Sequence, residues 1–204
     1  AEFLIGGPTT GQRPEALFVH IPGLNVVIPS TPRDAFGLMR TALASPGVTM
    51  FFEDRMLSDA LTTQWEMMAG SEAIPFGTAR YCRKGRDAKL TIATYGLMRQ
   101  VAELALREAN IWDVQLLDLR SLYPLDWGLL LDSVRRTRKL LIVEPDVTYG
   151  GIGAEIAATV AEEMPGAVIR RLGGPRKVIP TSREGQARML PSREQILEAI
   201  RRML

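Results

Sequence analysis

Residues 139–164 read KLLIVEPDVTYGGIGAEIAATVAEEM, and the fold follows from how this stretch divides. Residues 140–143 are an unbroken apolar run, too short to cross a bilayer and of the kind that a strand covered on both faces requires. A polar turn follows, then Gly150, Gly151 and Gly153. Beyond them Ile156, Ala157, Val160, Ala161 and Met164 recur at helical spacing, with Glu155, Thr159, Glu162 and Glu163 opposite. A buried strand, a glycine turn and an amphipathic helix make half of a right-handed crossover unit. The glycines fall short of a dinucleotide fingerprint: Ile156 stands where a third glycine belongs, they are set back from the strand end, and no acidic residue closes a second strand about 20 positions on. Their expected role is close packing of the helix on a sheet or on another subunit.

On the N-terminal side, residues 114–119 and 90–95 read as strands. Leu97, Val101, Leu104 and Ala105 mark one helix face, and Trp127, Leu130, Leu131 and Val134 another. On the C-terminal side, residues 167–172 read as a further strand. After a Gly-Pro-rich segment, Ser192 and Gln195 form a capping box for a last helix carrying Ile196, Leu197 and Ile200. Strands alternating with helices predict an α/β/α sandwich with a mainly parallel sheet.

Earlier in the chain, residues 25–28 and 49–52 read as short buried strands around one helix. That helix has Thr31 as N-cap, Pro32 at its first position, Asp34 three residues after the cap, an apolar face of Ala35, Leu38, Met39, Ala42 and Leu43, and a stop at Pro46-Gly47. Two strands and one helix leave most of their apolar surface uncovered, so either N-terminal sequence or another chain is expected to complete this unit. Residues 1–23, rich in Gly and Pro, predict an irregular loop. The division expected is residues 1–60, residues 61–88 as a connection, and residues 89–204.

The chain has 204 residues, with 25 basic against 23 acidic side chains. So near a balance carries no nucleic-acid signal. The basic clusters at 135–139 and 201–202 sit at helix C-terminal ends, where the dipole favours cations. No stretch is apolar over the length of a membrane span, and no signal pattern opens the sequence, so a cytoplasmic protein without membrane contact is expected. The single cysteine, Cys82, rules out an internal disulfide and a cysteine-rich metal site. The single histidine, His20, closes most routes through imidazole pairs and triads.

The words LLDLRSLYPLDWGLLLDSVRRTRKLLIVEP and GGIGAEIAA, preceded by HIPGLNVVIPSTPRDAFGLM, FFED and IPFG, resemble in order the beta subunit of the decarboxylating component of 2-oxo acid dehydrogenase complexes, within the transketolase-like thiamine diphosphate enzymes. The resemblance covers nearly the whole chain. It implies the C-terminal remnant of a pyrimidine-binding domain in residues 1–60 and a transketolase C-terminal-like domain in residues 89–204. It also implies thiamine diphosphate and magnesium, held mainly by a segment N-terminal to this sequence and by an alpha-type partner. The partners implied are that alpha-type subunit, a beta-beta dimer in an alpha2beta2 assembly, and the lipoyl acyltransferase component.

Aligned on HIPG, the family's active-site loop of histidine, serine and glutamine falls on Thr10, Gly11 and Gln12. The resemblance therefore makes Thr10 and Gln12 the candidate catalytic positions. Thr10 departs from the histidine, and a hydroxyl does not exchange a proton near neutral pH as imidazole does. His20 aligns with a second histidine beside the Pro-Gly turn and is expected to hydrogen-bond structurally. No cofactor-binding or metal residue is assigned within the chain. Asp113, Asp118, Asp126 and Asp132 are expected at strand ends and helix caps rather than as a paired-carboxylate site. Trp65, Trp112 and Trp127, with Met67, Met68 and Met98, are expected in a core or an interface. The alternative is a non-catalytic module that dimerises or docks a partner, or part of a split transketolase; the isolated chain is expected to be inactive.

Overall fold

The computed structural model describes residues 7–54, 57 and 72–204. Two short helices, α1 (Gly7–Thr10) and α2 (Glu15–Val19), occupy the stretch expected to be an irregular loop. There follow β1 (Leu24–Val27), α3 (Pro32–Ala44) and β2 (Val48–Phe51). β1 and β2 are parallel, with Leu24 opposite Val48 and Val27 opposite Phe51. The helix starts as the sequence predicts, with Thr31 Oγ1 accepting from the Asp34 amide at 3.1 Å. Its apolar face does not hold throughout: Leu38 is fully buried, but Leu43 is 81% exposed and Met39 38%. The helix turns its Gly37–Leu38 side inward, where Ile74 fills the space a Cβ on Gly37 would need, and Met39 and Leu43 point away.

Next come β3 (Arg80–Lys84), β4 (Leu90–Thr94), α4 (Gly96–Glu108), β5 (Val114–Asp118) and β6 (Ser121–Tyr123). The chain continues with α5 (Trp127–Thr137), β7 (Lys139–Val147), α6 (Ile152–Glu163), β8 (Val168–Gly174), α7 (Arg183–Ala187) and α8 (Arg193–Met203). Five strands form one sheet in the order β3-β5-β4-β7-β8. Four of them are parallel, and β3 runs antiparallel along β5 at the edge. β3 lies in the stretch expected to be a connection. β6 leaves this sheet and pairs antiparallel with β1, so the smaller sheet runs β2-β1-β6 and the two halves are stitched by backbone.

The sandwich follows from period-two alternation in strands that are apolar on both faces. Leu90, Ile92, Leu141 and Val143 face α4 and α8, packing with Met98, Ala102, Ile196 and Ile200. Ala93, Leu117, Leu140 and Ile142 face α5 and α6, packing with Leu130, Val134, Ile156 and Val160. Each Leu, Ile, Val or Met among them, fully removed from water, contributes about 1.5–3 kcal/mol. The predicted capping box of α8 is present, with Ser192 and Gln195 bonding each other's backbone. On α6 the buried face is Ile152, Gly153, Ile156 and Val160, with Met164 just beyond; Ala161 is exposed. Leu104, expected to face inward from α4, is 48% exposed.

Candidate functional site

The polar side chains with the most perturbed chemistry gather where β2, β4 and β7 end, at the carboxyl ends of parallel strands where open α/β sheets place ligands. Gly11, its N–H returned to Gly7 O at 2.9 Å, closes α1 and lies buried, whereas the Gln12 side chain is exposed. Arg13 then turns inward. Its guanidinium donates to Asp54 Oδ2 at 2.8 Å and lies 3.7 Å from Glu15 Oε1. One cation thus ties the loop carrying Gln12 to the chain just beyond β2 and to the first residue of α2.

Behind this pair lie Tyr95, Glu144 and Asp146. The sequence reading placed a polar turn after residue 143, but β7 continues to Val147 with Glu144 and Asp146 both buried. Two backbone donors hold them: the Gly153 N–H reaches Glu144 Oε2 at 2.9 Å and the Val147 N–H reaches Asp146 Oδ1 at 2.6 Å. Burial pushes the Glu144 carboxyl up to about 7, opposed by the Gly153 bond and reinforced by the negative Asp146. Burial also raises Asp146 and Glu15, the latter against the pull of Arg13. The Tyr95 phenol, fully buried among these acids, is raised well above its usual range by burial and then by Glu144. Glu15 Oε2, Tyr95 OH and Glu144 Oε1 are buried without a hydrogen-bond partner. A cavity of about 30 Å³ runs from Gly11, Gln12 and Arg13 to Asp146, with Lys177 and Leu190 on its far wall; that is room for about one water molecule.

A second buried cluster joins the chain's two halves. Asp34 accepts from Arg80 at 3.1 Å and from Arg120 at 3.2 Å. Asp118, at the end of β5, accepts from Ser30 at 2.8 Å and from Arg80 at 3.4 Å. Arg120, in a left-handed conformation at φ 57°, also donates to Thr78 O at 2.7 Å. Burial and the charge of Asp34 push the Asp118 carboxyl up to about 6, against the hydroxyl of Ser30 and the guanidinium groups of Arg80 and Arg99.

The structure sorts the residues singled out from sequence. Thr10 ends α1 two residues before Gln12, with its side chain outside what the structure describes, as are Trp65, Met67 and Met68. Asp126 caps α5 through the Leu129 amide and also takes the Ala79 amide, while Asp113 and Asp132 pair with Lys89 and Arg135. Asp118 ends β5 as expected, but it is also buried and shares Arg80 with Asp34, a coupling that the sequence did not show. His20 caps α2 with its backbone and is exposed, and its side chain makes no hydrogen bond among the described residues. Met98 is core, whereas Trp112 is 62% exposed and carries the Arg83 guanidinium 4.4 Å above its ring. Glu15, Tyr95, Glu144 and Asp146 were missed; the only sequence signal was an acid-Pro-acid motif directly after an apolar strand.

The thiamine diphosphate and magnesium that the resemblance implies do not fit these residues alone. Among the described residues no group of three or more His, Cys, Asp or Glu side chains can hold a metal ion. The cavity beneath the Gln12 loop is far smaller than a pyrimidine ring with its diphosphate. Nor, among the described residues, is any helix long and apolar enough to cross a membrane.

Comparison with known proteins bears on the fold and the family. Residues 5–59 match the family described as transketolase, pyrimidine binding domain, and residues 77–196 match transketolase, C-terminal domain. The chain is 34% identical to the 2-oxoisovalerate dehydrogenase subunit beta 2, mitochondrial, of Arabidopsis thaliana, over 96% of this chain and 54% of that protein. It is 36% identical to the acetoin:2,6-dichlorophenolindophenol oxidoreductase subunit beta of Cupriavidus necator, over 92% and 56%. With the pyruvate dehydrogenase E1 component subunit beta of Rickettsia felis it shares 32% over 94% and 59%. The chain thus spans somewhat more than half the length of these relatives. Among solved structures, a split gene transketolase described as an inactive beta4 tetramer superposes with a TM-score of 0.77 at 22% identity, over 98% of this chain and 64% of that one; this likeness shows the fold.

Proposed function

The chain belongs to the transketolase family, as a relative of 2-oxo acid dehydrogenase beta subunits, and from that premise we propose that it acts as a beta-type subunit, or the C-terminal part of one, of a thiamine diphosphate-dependent 2-oxo acid decarboxylating component. In this reading residues 1–60 are the end of a pyrimidine-binding domain, residues 61–88 the connection, whose last part supplies the edge strand β3, and residues 89–204 the rest of the C-terminal domain. The cofactor and its magnesium are held by an alpha-type subunit and by sequence preceding this chain. Thr10 and Gln12 face the substrate from the active-site loop. The beta subunits pair with each other, the assembly passes its acyl group to a lipoyl acyltransferase, and it works in the cytoplasm.

The observation that carries this reading is the anchoring of the Gln12 loop by Arg13 onto Asp54 and Glu15, over Tyr95 and two raised acids. A loop fixed by a buried ion pair at the carboxyl ends of the strands presents a side chain at a set position, which catalysis requires. The test is co-expression with an alpha-type subunit, followed by titration with thiamine diphosphate and measurement of carbon dioxide release from pyruvate and branched-chain oxo acids. Saturable binding and turnover only with the partner is the expected result. Stable dimers that bind neither cofactor nor alpha-type subunit would favour the docking module instead.

A further inference from the structure

At the other end of the five-stranded sheet, where the parallel strands begin, lies a cleft of about 430 Å³. It is bounded by Lys84 at the end of β3, Arg86 and Asp87 in the turn to β4, Gln115 on β5 and Arg136 in the last turn of α5. A cleft of this size takes a small organic ligand. Nothing in the proposed reaction uses it, since the Gln12 loop and the raised acids all lie at the opposite strand ends.

The lining is charged with one sign. Three cations face one acid, and none of Lys84, Arg86 and Arg136 makes an ion pair among the described residues, although Lys84 extends over the Tyr81 ring at 5.3 Å. Their neighbours are neutralised: Lys89 pairs with Asp113 at 3.2 Å and Arg135 with Asp132 at 2.6 Å. Arg83 is stacked on Trp112 and bonded to Ile111 O at 2.5 Å. Two of the three unpaired cations are guanidinium groups, whose planar fork matches phosphate oxygens.

The floor is built rather than incidental. Gln115 is 4% exposed and sits directly across from Lys84 on β3 and Thr91 on β4. Its carboxamide oxygen accepts from Ser133 Oγ; Ser133 pairs with Thr91 Oγ1 at 2.9 Å, and Thr91 with Thr137 Oγ1 at 2.9 Å. Ser133 spends its one proton on Gln115, so it accepts from Thr91, while Thr137 has a backbone acceptor of its own in Lys139 O at 3.0 Å. With its oxygen engaged, Gln115 keeps its amide NH2, a donor, for the cleft. The carbonyl end of α5 works against an anion here, which the excess of cations offsets.

We propose that this cleft is a binding site for a phosphorylated small molecule, with the phosphate held by Arg86, Arg136 and Lys84 over the Gln115 amide and a ligand hydroxyl accepted by Asp87. The proposal does not rest on the decarboxylase reading.

The test is calorimetric titration of the full chain with inorganic pyrophosphate at low ionic strength, where charge is least screened. Saturable one-site binding is expected. Arg136→Gln and Arg86→Gln are each expected to weaken it by about tenfold or more, the usual effect of removing a charge-assisted hydrogen bond. Asp87→Asn should tighten it, and Arg135→Gln, the paired neighbour on the same turn, should change it by less than about twofold. All four side chains are exposed, so the fold is retained, and circular dichroism checks this. Absence of saturable binding, or an equal loss with Arg135→Gln and Arg136→Gln, would overturn the proposal, because the second result is what nonspecific surface charge produces.

Discussion

The backbone N–H of Gly153 donates to Glu144 Oε2 at 2.9 Å, and a Cβ on Gly153 would stand 2.5 Å from the other carboxylate oxygen. Gly151 is constrained from the same side, since its Cβ would lie 2.5 Å from Val147 O and 2.7 Å from Glu144 Oε2. The glycine turn therefore exists to admit a buried acid beneath the start of α6. Close packing within the chain, one of the two roles expected from sequence, is performed by Gly151 and Gly153; a Cβ on Gly150, exposed at φ 71°, would meet no atom within 4 Å.

Gly153→Ala is accordingly expected to destabilise the chain by about 1–3 kcal/mol, the cost of overpacking, despite the better helix propensity of alanine. Gly128, exposed near the start of α5 with 3.7 Å to the nearest atom a Cβ would meet, supplies the contrast. There the same substitution should stabilise by about 0.5–1 kcal/mol. Urea unfolding of the two variants beside the parent measures both signs. Equal and opposite-to-expected shifts at Gly153 would mean that the Glu144 carboxylate moves aside freely.

Stability should fall, not rise, as pH increases across the weakly acidic range. Glu144 ionises at about 7 in the fold against 4.5 unfolded, and Asp118 at about 6 against 3.8. A raised carboxyl stabilises fully below its unfolded value and loses that contribution as pH climbs through its folded value. For Glu144 the window is therefore 4.5 to about 7, with a ceiling of roughly 3.5 kcal/mol at about 1.4 kcal/mol per unit. Glu144→Gln keeps an acceptor for the Gly153 amide but cannot ionise, so its stability should be flatter over this window. Chemical denaturation at four or five pH values decides; parallel curves for parent and variant would show that Glu144 is not the titrating group.

Much of the fold was legible because apolar runs, caps and glycine stops are local signals. What escaped depends on partners distant in sequence. β3, RYCRK, has no apolar run and exists only because β5 offers it an edge. Asp34 reads as the residue that completes the Thr31 cap and does bond it, but its burial depends on Arg120, 86 residues away. Glu144 and Asp146 read as the polar end of a strand, and only the Gly153 and Val147 amides reveal them as buried. In the candidate site the loop position of Gln12 came from resemblance alone, whereas the Arg13 anchor had no sequence signature.

The Asp34 cluster makes a separate prediction. Asp34→Asn removes the negative charge that raises Asp118, so the Asp118 carboxyl should titrate lower than about 6 while staying above ordinary aspartate because of burial. It also leaves Arg120 without its carboxylate partner, at a cost of about 3–5 kcal/mol typical of breaking a buried pair. Carboxyl carbon NMR reads the first effect and thermal unfolding the second. An unmoved Asp118 titration would mean that burial alone sets its value.

The loop that carries Thr10 and Gln12 yields the last prediction. Thr10 ends α1, Gly11 is closed onto Gly7, and Arg13 fixes the following turn through Asp54 and Glu15. A side chain introduced at position 10 is therefore carried on an anchored backbone rather than a free one. If the chain serves in oxo acid decarboxylation with an alpha-type subunit, Thr10→His restores a group able to exchange protons near neutral pH, and a placed general acid or base contributes about 100- to 10,000-fold. The expected outcome in the reconstituted complex is a rise in turnover with a new pH dependence near the ordinary imidazole range and little change in cofactor affinity. Arg13→Gln in the same background should cancel most of the gain, because the loop then loses its tie to Asp54. Turnover unchanged or reduced by Thr10→His would mean that threonine belongs to the chemistry this loop performs.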